Sequence, residues 1–291
     1  LKRFDIYQIY GMGGSSLGSK AIYEFMKPKI KKKFYFFDNL DTKNETIKTN
    51  KKNLNLIISK SGNTLETLSN VNIHVKKKHK NIFITERKKS FLTDLAKKLK
   101  SEIIEHKNFI GGRYSVLSEV GMLPSELMGF NEQKFKQFNN LIKNRNFINN
   151  LINDVTSTVR FVKTKKYTSV ILNYDEKSDN LFKWYQQLIA ESLGKKSKGI
   201  FPIISTMPKD NHSLMQLYLD GPKKSFYTFF HVRDKNDIKI KNENILSSYN
   251  FLKDKTINKI IHSQKVATEN IFKKKKIPFR SINILYIDEK Q

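Results

Sequence analysis

The chain of 291 residues contains no cysteine, which excludes disulfide bonds, thiolate metal ligands and a cysteine nucleophile. It has no apolar run that approaches the ~18 residues needed to cross a bilayer. Its first residues, LKRFD, lack the apolar stretch of a secretory signal. These features predict a cytoplasmic chain without a membrane partner.

Acidic residues are also scarce, with 27 Asp and Glu against 55 Lys and Arg, which gives a formal net charge of +28. A nucleic-acid-binding protein usually gathers its basic residues on one face. Here the lysines are spread along the chain, with local runs at 31–33, 76–78 and 273–276. We interpret them mainly as coding bias on a solvated surface and predict no nucleic-acid partner. The charge still favours anionic substrates through long-range attraction.

Short apolar runs alternate with amphipathic stretches, which predicts a doubly wound parallel α/β fold. The predicted strands are 6–10, 33–37, 54–59, 81–85, 167–173, 200–205, 227–232 and 281–287. The predicted helices include 15–26, a stretch ending near 78, 179–193 and 255–275. A polar helical connector at 131–163 separates two such runs, so we predict domains at 1–150 and 151–291, with a boundary near 150.

The first candidate anion site is the segment GMGGSSLG at 11–18, between a predicted strand and a predicted helix. Backbone N–H groups at a helix N-terminus bind anions, and Gly13, Gly14 and Ser15 would face such a ligand. Position 16 is serine where the dinucleotide-binding fingerprint requires glycine. The alternative interpretation is a tight strand-to-helix turn without a ligand.

The second candidate anion site is SKSGNT at 59–64, which directly follows a predicted buried strand. Ser59, Ser61 and Thr64 supply three hydroxyls, Lys60 supplies a charge, and the glycine lets the loop wrap a phosphate. The Walker spacing is absent, so nucleotide hydrolysis is not indicated. An N-capped turn with Asn63 or Thr64 as the cap is the alternative.

These segments resemble the phosphoglucose isomerase family. Besides 11–18 and SKSGNTLET at 59–67, the chain has GGRYS at 111–115, VGMLP at 120–124, ESLGK at 191–195 and DNHS at 210–213, in the family's order. The resemblance covers essentially the whole chain and implies two SIS (sugar isomerase, flavodoxin-like) domains. Asn63 departs from the family, which more often has threonine there.

The resemblance implies interconversion of glucose 6-phosphate and fructose 6-phosphate through an enediolate, with no metal or organic cofactor. It matches Glu191 to the family's base and His212 to the histidine that helps open the sugar ring. Arg113 would stabilise the enediolate, and Gln187 would contact sugar or phosphate. In relatives the histidine acts in trans, which implies a homodimer.

Two alternatives stay open. A bifunctional phosphoglucose/phosphomannose isomerase also tends to have S-G-N-T in its serine loop, and a non-catalytic SIS module would bind a sugar phosphate without converting it. The family also has a helical tail that supplies a catalytic lysine, and no such segment occurs here. We therefore expect a fragment that lacks an N-terminal segment and this tail, and that is poorly soluble and almost inactive.

Overall fold

Two parallel sheets organise the chain, each in its own compact unit. A computed structural model describes residues 1, 3–42, 52–233, 237–241, 243 and 245–285. Unit 1 comprises Leu1–Phe138 and Lys183–Glu191, and unit 2 comprises Asn139–Phe182 and Ser192–Gln291. The predicted class, two parallel-sheet α/β domains, is confirmed.

Unit 1 is built on a five-stranded parallel sheet in the order β2-β1-β3-β4-β5. Its strands are β1 (Ile6–Tyr10), β2 (Lys33–Phe37), β3 (Asn53–Ile58), β4 (Lys80–Thr85) and β5 (Glu102–Glu105). Its helices are α1 (Leu17–Met26), α2 (Leu65–His74), α3 (Phe91–Lys98), α4 (Glu119–Met128) and α5 (Glu132–Phe135).

The central strands of unit 1 are apolar runs, because helices cover both faces of a parallel sheet. All five residues of β1 are buried, as are five of the six in β3. Tyr10 pairs with Phe37 on one side and with Ile57 on the other. The carboxyl ends of β1 and β3 are therefore neighbours, and the segments 11–18 and 59–64 leave the sheet at the same edge.

Unit 2 has a four-stranded parallel sheet in the order β7-β6-β8-β9. Its strands are β6 (Thr168–Asn173), β7 (Phe201–Thr206), β8 (Ser225–Val232) and β9 (Phe279–Ile284). The remaining helices are α6 (Phe138–Lys143), α7 (Arg145–Lys163), α8 (Asp179–Leu193), α9 (Met215–Asp220) and α10 (Ile257–Lys274). The core includes Phe229 and Phe272, whose rings meet edge to face at 5.3 Å.

The contacts divide the chain at 138/139, whereas the predicted boundary near 150 lies inside α7. Residues 183–191 of α8 join unit 1, although the prediction assigned them to the second domain. The cause is a set of hydrogen bonds from that helix segment to unit 1, described below. The predicted strand 281–287 is β9, and its residues 286–287 lie outside the described residues. No helix in the described part of the chain has the length and apolarity to cross a membrane.

Candidate active site

The serine loop, residues 59–64, follows the carboxyl end of β3 and is held by hydrogen bonds among its own residues. Ser59 Oγ lies 2.9 Å from Thr64 Oγ1 and accepts a hydrogen bond from Gly62 N. Gly62 has a φ of +71°, and a Cβ there would lie 2.2 Å from Ser90 Oγ. The loop conformation therefore requires glycine at this position.

The helix that follows the serine loop begins without a side-chain cap. Its N-cap is Thr64, whose hydroxyl is turned to Ser59 and makes no capping hydrogen bond. Within the described part of the chain, the amides of residues 65–67 have no hydrogen-bond acceptor. α1 likewise begins at Ser16 without a side-chain cap. Uncapped first turns offer free N–H groups and a positive dipole end to an anion.

The segment at 111–113 packs directly against residues 11–18, here called the glycine loop. A Cβ on Gly14 would lie 2.2 Å from Gly112 O, so the two backbones touch. The Ser115 hydroxyl lies 2.7 Å from Gly112 O and 3.2 Å from Gly14 O. The buried hydroxyl of Ser115 therefore connects the segment 111–115 to the glycine loop.

Residues 183–191 of α8 complete this group within unit 1. Trp184 Nε1 donates to Arg113 O at 3.1 Å, and Arg113 Nη1 lies 3.3 Å from Glu191 Oε2. Gln187 Nε2 donates to Glu191 Oε1 at 2.7 Å. A Cβ on Gly13 would lie 2.9 Å from the same Gln187 nitrogen, so the helix passes close to the glycine loop.

The charges of the site are concentrated on Arg113 and Glu191. The guanidinium stacks over the Tyr114 ring at 4.5 Å, and hydrogen bonds with Tyr114 and then Glu191 raise the pKa of Arg113. The Glu191 side chain is 48% exposed, which leaves its carboxylate accessible to a ligand. Gln187 Oε1 is buried without a hydrogen-bond partner in the described structure. The arrangement offers a carboxylate, a fixed cation and an amide side by side.

Three further residues of the serine loop have hydrogen-bond partners within the protein. Lys60 Nζ donates to Asn108 O and to Ile110 O, both at 2.8 Å. These two hydrogen bonds connect the serine loop to the segment before Gly111. The role of Lys60 as a phosphate contact stays a prediction. Asn63 Oδ1 accepts from Phe91 N at the start of α3. Ser61 is exposed, and its hydroxyl accepts from Asn63 N.

His212 belongs to unit 2, where it follows β7. Its loop is fixed by Asp210, whose Oδ2 accepts from Ser205 Oγ at 2.9 Å and from Thr206 N at 2.8 Å. The His212 side chain is exposed. Among the residues the structure describes, no three histidine or carboxylate side chains group as metal ligands would.

Sequence reasoning missed Trp184 and the connecting role of Ser115. Trp184 is the only tryptophan in the chain, and it stands three residues before Gln187 and seven before Glu191. This spacing places all three side chains on one helix face. The spacing of these residues was therefore visible in the sequence, but its meaning depends on knowing that residues 184–191 form one continuous helix.

Comparison with known proteins gives a consistent match. A family model described as phosphoglucose isomerase matches residues 4–199. A glucose-6-phosphate isomerase of Methanocaldococcus jannaschii is 37% identical over 79% of this chain and 60% of that protein. A probable glucose-6-phosphate isomerase of Methanococcus maripaludis is 34% identical, over 99% of this chain and 70% of that protein. The chain spans about 60% of the length of the Methanocaldococcus jannaschii protein.

The fold is shared with solved structures. A hypothetical protein from Thermus thermophilus superposes with a TM-score of 0.82 at 22% identity, covering 99% of this chain and 74% of that chain. At this level of identity the likeness concerns the fold alone.

Proposed function

This chain belongs to the phosphoglucose isomerase family, and on that premise we propose that it interconverts glucose 6-phosphate and fructose 6-phosphate. The observation that carries the proposal is the placement of Glu191 beside Arg113 and Gln187, next to the glycine loop. A carboxylate and a fixed cation are the two groups that an aldose–ketose isomerisation requires. Such an activity would serve glycolysis and gluconeogenesis, and we propose that the protein is cytoplasmic.

Proton transfer is the central step of the proposed reaction. Glu191 removes the proton from C2 of the open-chain aldose, which leaves an enediolate, and returns it to C1 while the hydroxyl proton of O2 moves to O1, which gives the ketose. The Arg113 guanidinium stabilises the negative charge that develops on the enediolate oxygen. The hydrogen bond from Gln187 keeps one carboxylate oxygen in a fixed orientation. No oxidant or reductant enters, because the proton and the electron pair stay within substrate and enzyme.

The substrate phosphate would bind at the carboxyl edge of sheet β2-β1-β3-β4-β5. The uncapped first turn of α2 presents the amides of residues 65–67, and Ser61 and Thr64 add hydroxyl donors. The glycine loop, with Gly13, Gly14 and Ser15, follows the neighbouring strand β1. A dianion there would meet two helix N-termini, with Glu66 as the acidic residue in the first turn of α2.

We assign ring opening to His212, acting in a homodimer on the site of the partner subunit. His212 is exposed and its loop is anchored by Asp210, which suits a side chain that reaches outward from a fixed base. α7 adds a second supporting feature, since it carries an exposed apolar stripe and has no buried residue. The stripe comprises Phe147, Leu151, Val155 and Val159.

The decisive experiment is a coupled isomerase assay of the protein expressed from its full reading frame, with glucose 6-phosphate as substrate, beside Glu191→Gln. We expect the substitution to lower turnover by roughly 10²–10⁴-fold with KM nearly unchanged. Glu132→Gln, which removes an exposed helix carboxylate from unit 1, is the matched control. Binding without turnover in the unsubstituted full-length protein would favour the non-catalytic SIS module, and comparable rates with mannose 6-phosphate would favour the bifunctional isomerase.

Subunit mixing tests the homodimer. Glu191→Gln and His212→Ala proteins, each inactive, should regain activity when their subunits exchange, because one heterodimer site then has both groups. Recovery is limited to a fraction of the original activity, since only one of two sites is intact. If exchange is demonstrated by mass spectrometry and activity stays at zero, His212 acts within its own chain.

A further inference from the structure

The second sheet repeats the strand order of the first. Unit 1 has the order β2-β1-β3-β4 before its edge strand, and unit 2 has β7-β6-β8-β9, so β8 corresponds to β3 and β9 to β4. The helix after β3 is α2 with Thr64 as its N-cap, and the helix after β8 is α10 with Thr256 as its N-cap. The place in unit 2 that corresponds to the serine loop is therefore the carboxyl end of β8.

A cavity of about 950 Å³ lies at this place. It is bounded by the ends of β8 and β9 and by the first two turns of α10. The lining side chains that matter here are His231, Arg233, Asp237, Asn258, Lys259 and His262. Its volume falls within the range typical of small-molecule sites.

The lining of the cavity is basic. Arg233 and Lys259 are exposed cations, and Asp237 is the one acidic residue among the described lining residues. The Asp237 carboxylate accepts a hydrogen bond from Asn258 N at 2.9 Å, so it is already used on the first turn of α10. Thr256 Oγ1 accepts from Lys259 N in the same turn. An anion in this cavity would therefore be held by side chains and not by helix amides.

One lining residue is buried and lacks a partner. His231 is 4% exposed, and its Nε2 has no hydrogen-bond partner in the described structure. Burial, with the nearby His262 and Lys265, lowers the pKa of His231 to about 4, so the imidazole is neutral and carries one N–H. Leaving such a group buried and unpaired is unfavourable, because it has given up its hydrogen bonds to water. A bound ligand would remove that cost.

We propose that the cavity bounded by His231, Arg233 and Lys259 is a second anion-binding site, which takes a phosphate group. The two cations supply the charge, and His231 supplies a buried N–H donor. Charge-assisted hydrogen bonds to phosphate oxygens are about twice as strong as neutral ones, so this donor set favours phosphate over a neutral sugar. All the lining residues named here belong to unit 2, and none of them is assigned above to the isomerase reaction.

Histidine imidazole resonances of the isotope-labelled protein can report this binding. Inorganic phosphate is titrated against sodium chloride at matched ionic strength, and glucose 6-phosphate forms a second arm that separates free phosphate from a sugar phosphate. The His262 and His231 signals are assigned with His262→Gln and His231→Asn. We expect saturable shifts of both signals with phosphate and none with chloride.

Charge variants complete the test. Lys259→Gln and Arg233→Gln should each weaken phosphate binding about tenfold, because each removes one charge-assisted contact. Lys273→Gln, at the far end of the same helix, should leave binding within about twofold, since it changes the net charge alone. Shifts that do not saturate, or equal weakening in all three variants, would overturn the proposal by showing only attraction to a basic surface.

Discussion

At the scale of single residues, the glycines of the site differ sharply in how much space they have. A Cβ on Gly14 would lie 2.2 Å from Gly112 O, whereas a Cβ on Gly112 would meet nothing within 4 Å. We expect Gly14→Ala to lower the free energy of unfolding by about 1–3 kcal/mol, because backbone must move, and to abolish isomerase activity. Gly112→Ala is the matched control and should keep both.

Urea unfolding and the coupled assay measure these two effects. Equal losses in Gly14→Ala and Gly112→Ala would contradict the close packing of the glycine loop on the segment 111–113. A fall in activity without a fall in stability for Gly14→Ala would place the glycine at the ligand and not at the loop contact.

His231 makes stability depend on pH. Its folded pKa, about 4, lies below the ordinary value of 6.5, first because of burial and then because His262 and Lys265 repel the imidazolium. The unfolded chain therefore binds more protons below pH 6.5, and folding stability falls as the pH drops from 6.5 toward 4. Glu269 acts in the opposite sense but is the smallest of the four contributions.

We expect His231→Asn to flatten the decline in the urea midpoint between pH 6.5 and 4. The comparison of slopes removes the contribution of carboxylates, which titrate in both proteins. His212→Asn, at an exposed position, serves as the control and should keep the original slope. Identical slopes in all three proteins would show that His231 is not protonated on unfolding.

The sequence predicts the identities of the site residues better than their connections. Glu191, Arg113 and Gln187 were predicted and do lie together, because local motifs mark them. The hydrogen bond from Trp184 to Arg113 O spans 71 positions in sequence, and no local pattern encodes a contact at that separation.

At the scale of elements, apolar runs in the sequence predict the strands well, but they do not reveal a helix that contains glycine and proline. The prediction for β2 and for α8 agrees with the structure to the residue. α4 was missed because it contains Gly121 and Pro124, which normally indicate a break. It forms because Ser118 caps its start, Gly129 ends it with a φ of 103°, and most of its residues are buried. Tertiary burial outweighs local propensity here.

Lys60 is expected to act as a connector between two loops. Its ammonium bonds to the carbonyls of Asn108 and Ile110, just before the segment that positions Arg113. Lys60→Met should therefore lower kcat by about tenfold, because a small displacement of Arg113 weakens enediolate stabilisation. Lys88→Met, which removes another lysine that pairs with Glu86, is the control.

The split between kcat and KM decides between two roles for Lys60. A connector changes kcat, and Lys60→Arg restores part of it because a guanidinium can still reach carbonyl oxygens. A rise in KM alone would show that Lys60 contacts the substrate phosphate, which is the role that the sequence suggested.

At the scale of the whole molecule, the net charge of +28 acts on every anionic ligand. We expect kcat/KM for a sugar phosphate to fall several-fold between about 0.05 and 0.5 M sodium chloride, because the Debye length shortens from more than about 10 Å to a few ångströms. Thermal stability measured over the same range is the control for salt effects on folding. Unchanged kcat/KM would show that only short-range contacts attract the substrate.

The same charge also allows the nucleic-acid alternative to be tested. The protein should elute from immobilised duplex DNA below physiological salt, since its lysines are dispersed and form no single stripe. The repeat of strand order between the two sheets follows from the two flavodoxin-like domains that the family resemblance implies, and not from composition or periodicity. Strand order depends on pairing between distant segments, which composition and periodicity do not record.

The residues of unit 1 are contiguous in space but come from two separate stretches of the sequence. Unit 1 consists of residues 1–138 together with the nine residues of Lys183–Glu191, which carry Trp184, Gln187 and the proposed base. A recombination event that transferred only the first stretch would transfer both phosphate loops and Arg113, yet leave the carboxylate behind. On the function proposed above, the two candidate anion loops would be inherited with the first stretch alone, whereas isomerisation would also require the stretch 183–191.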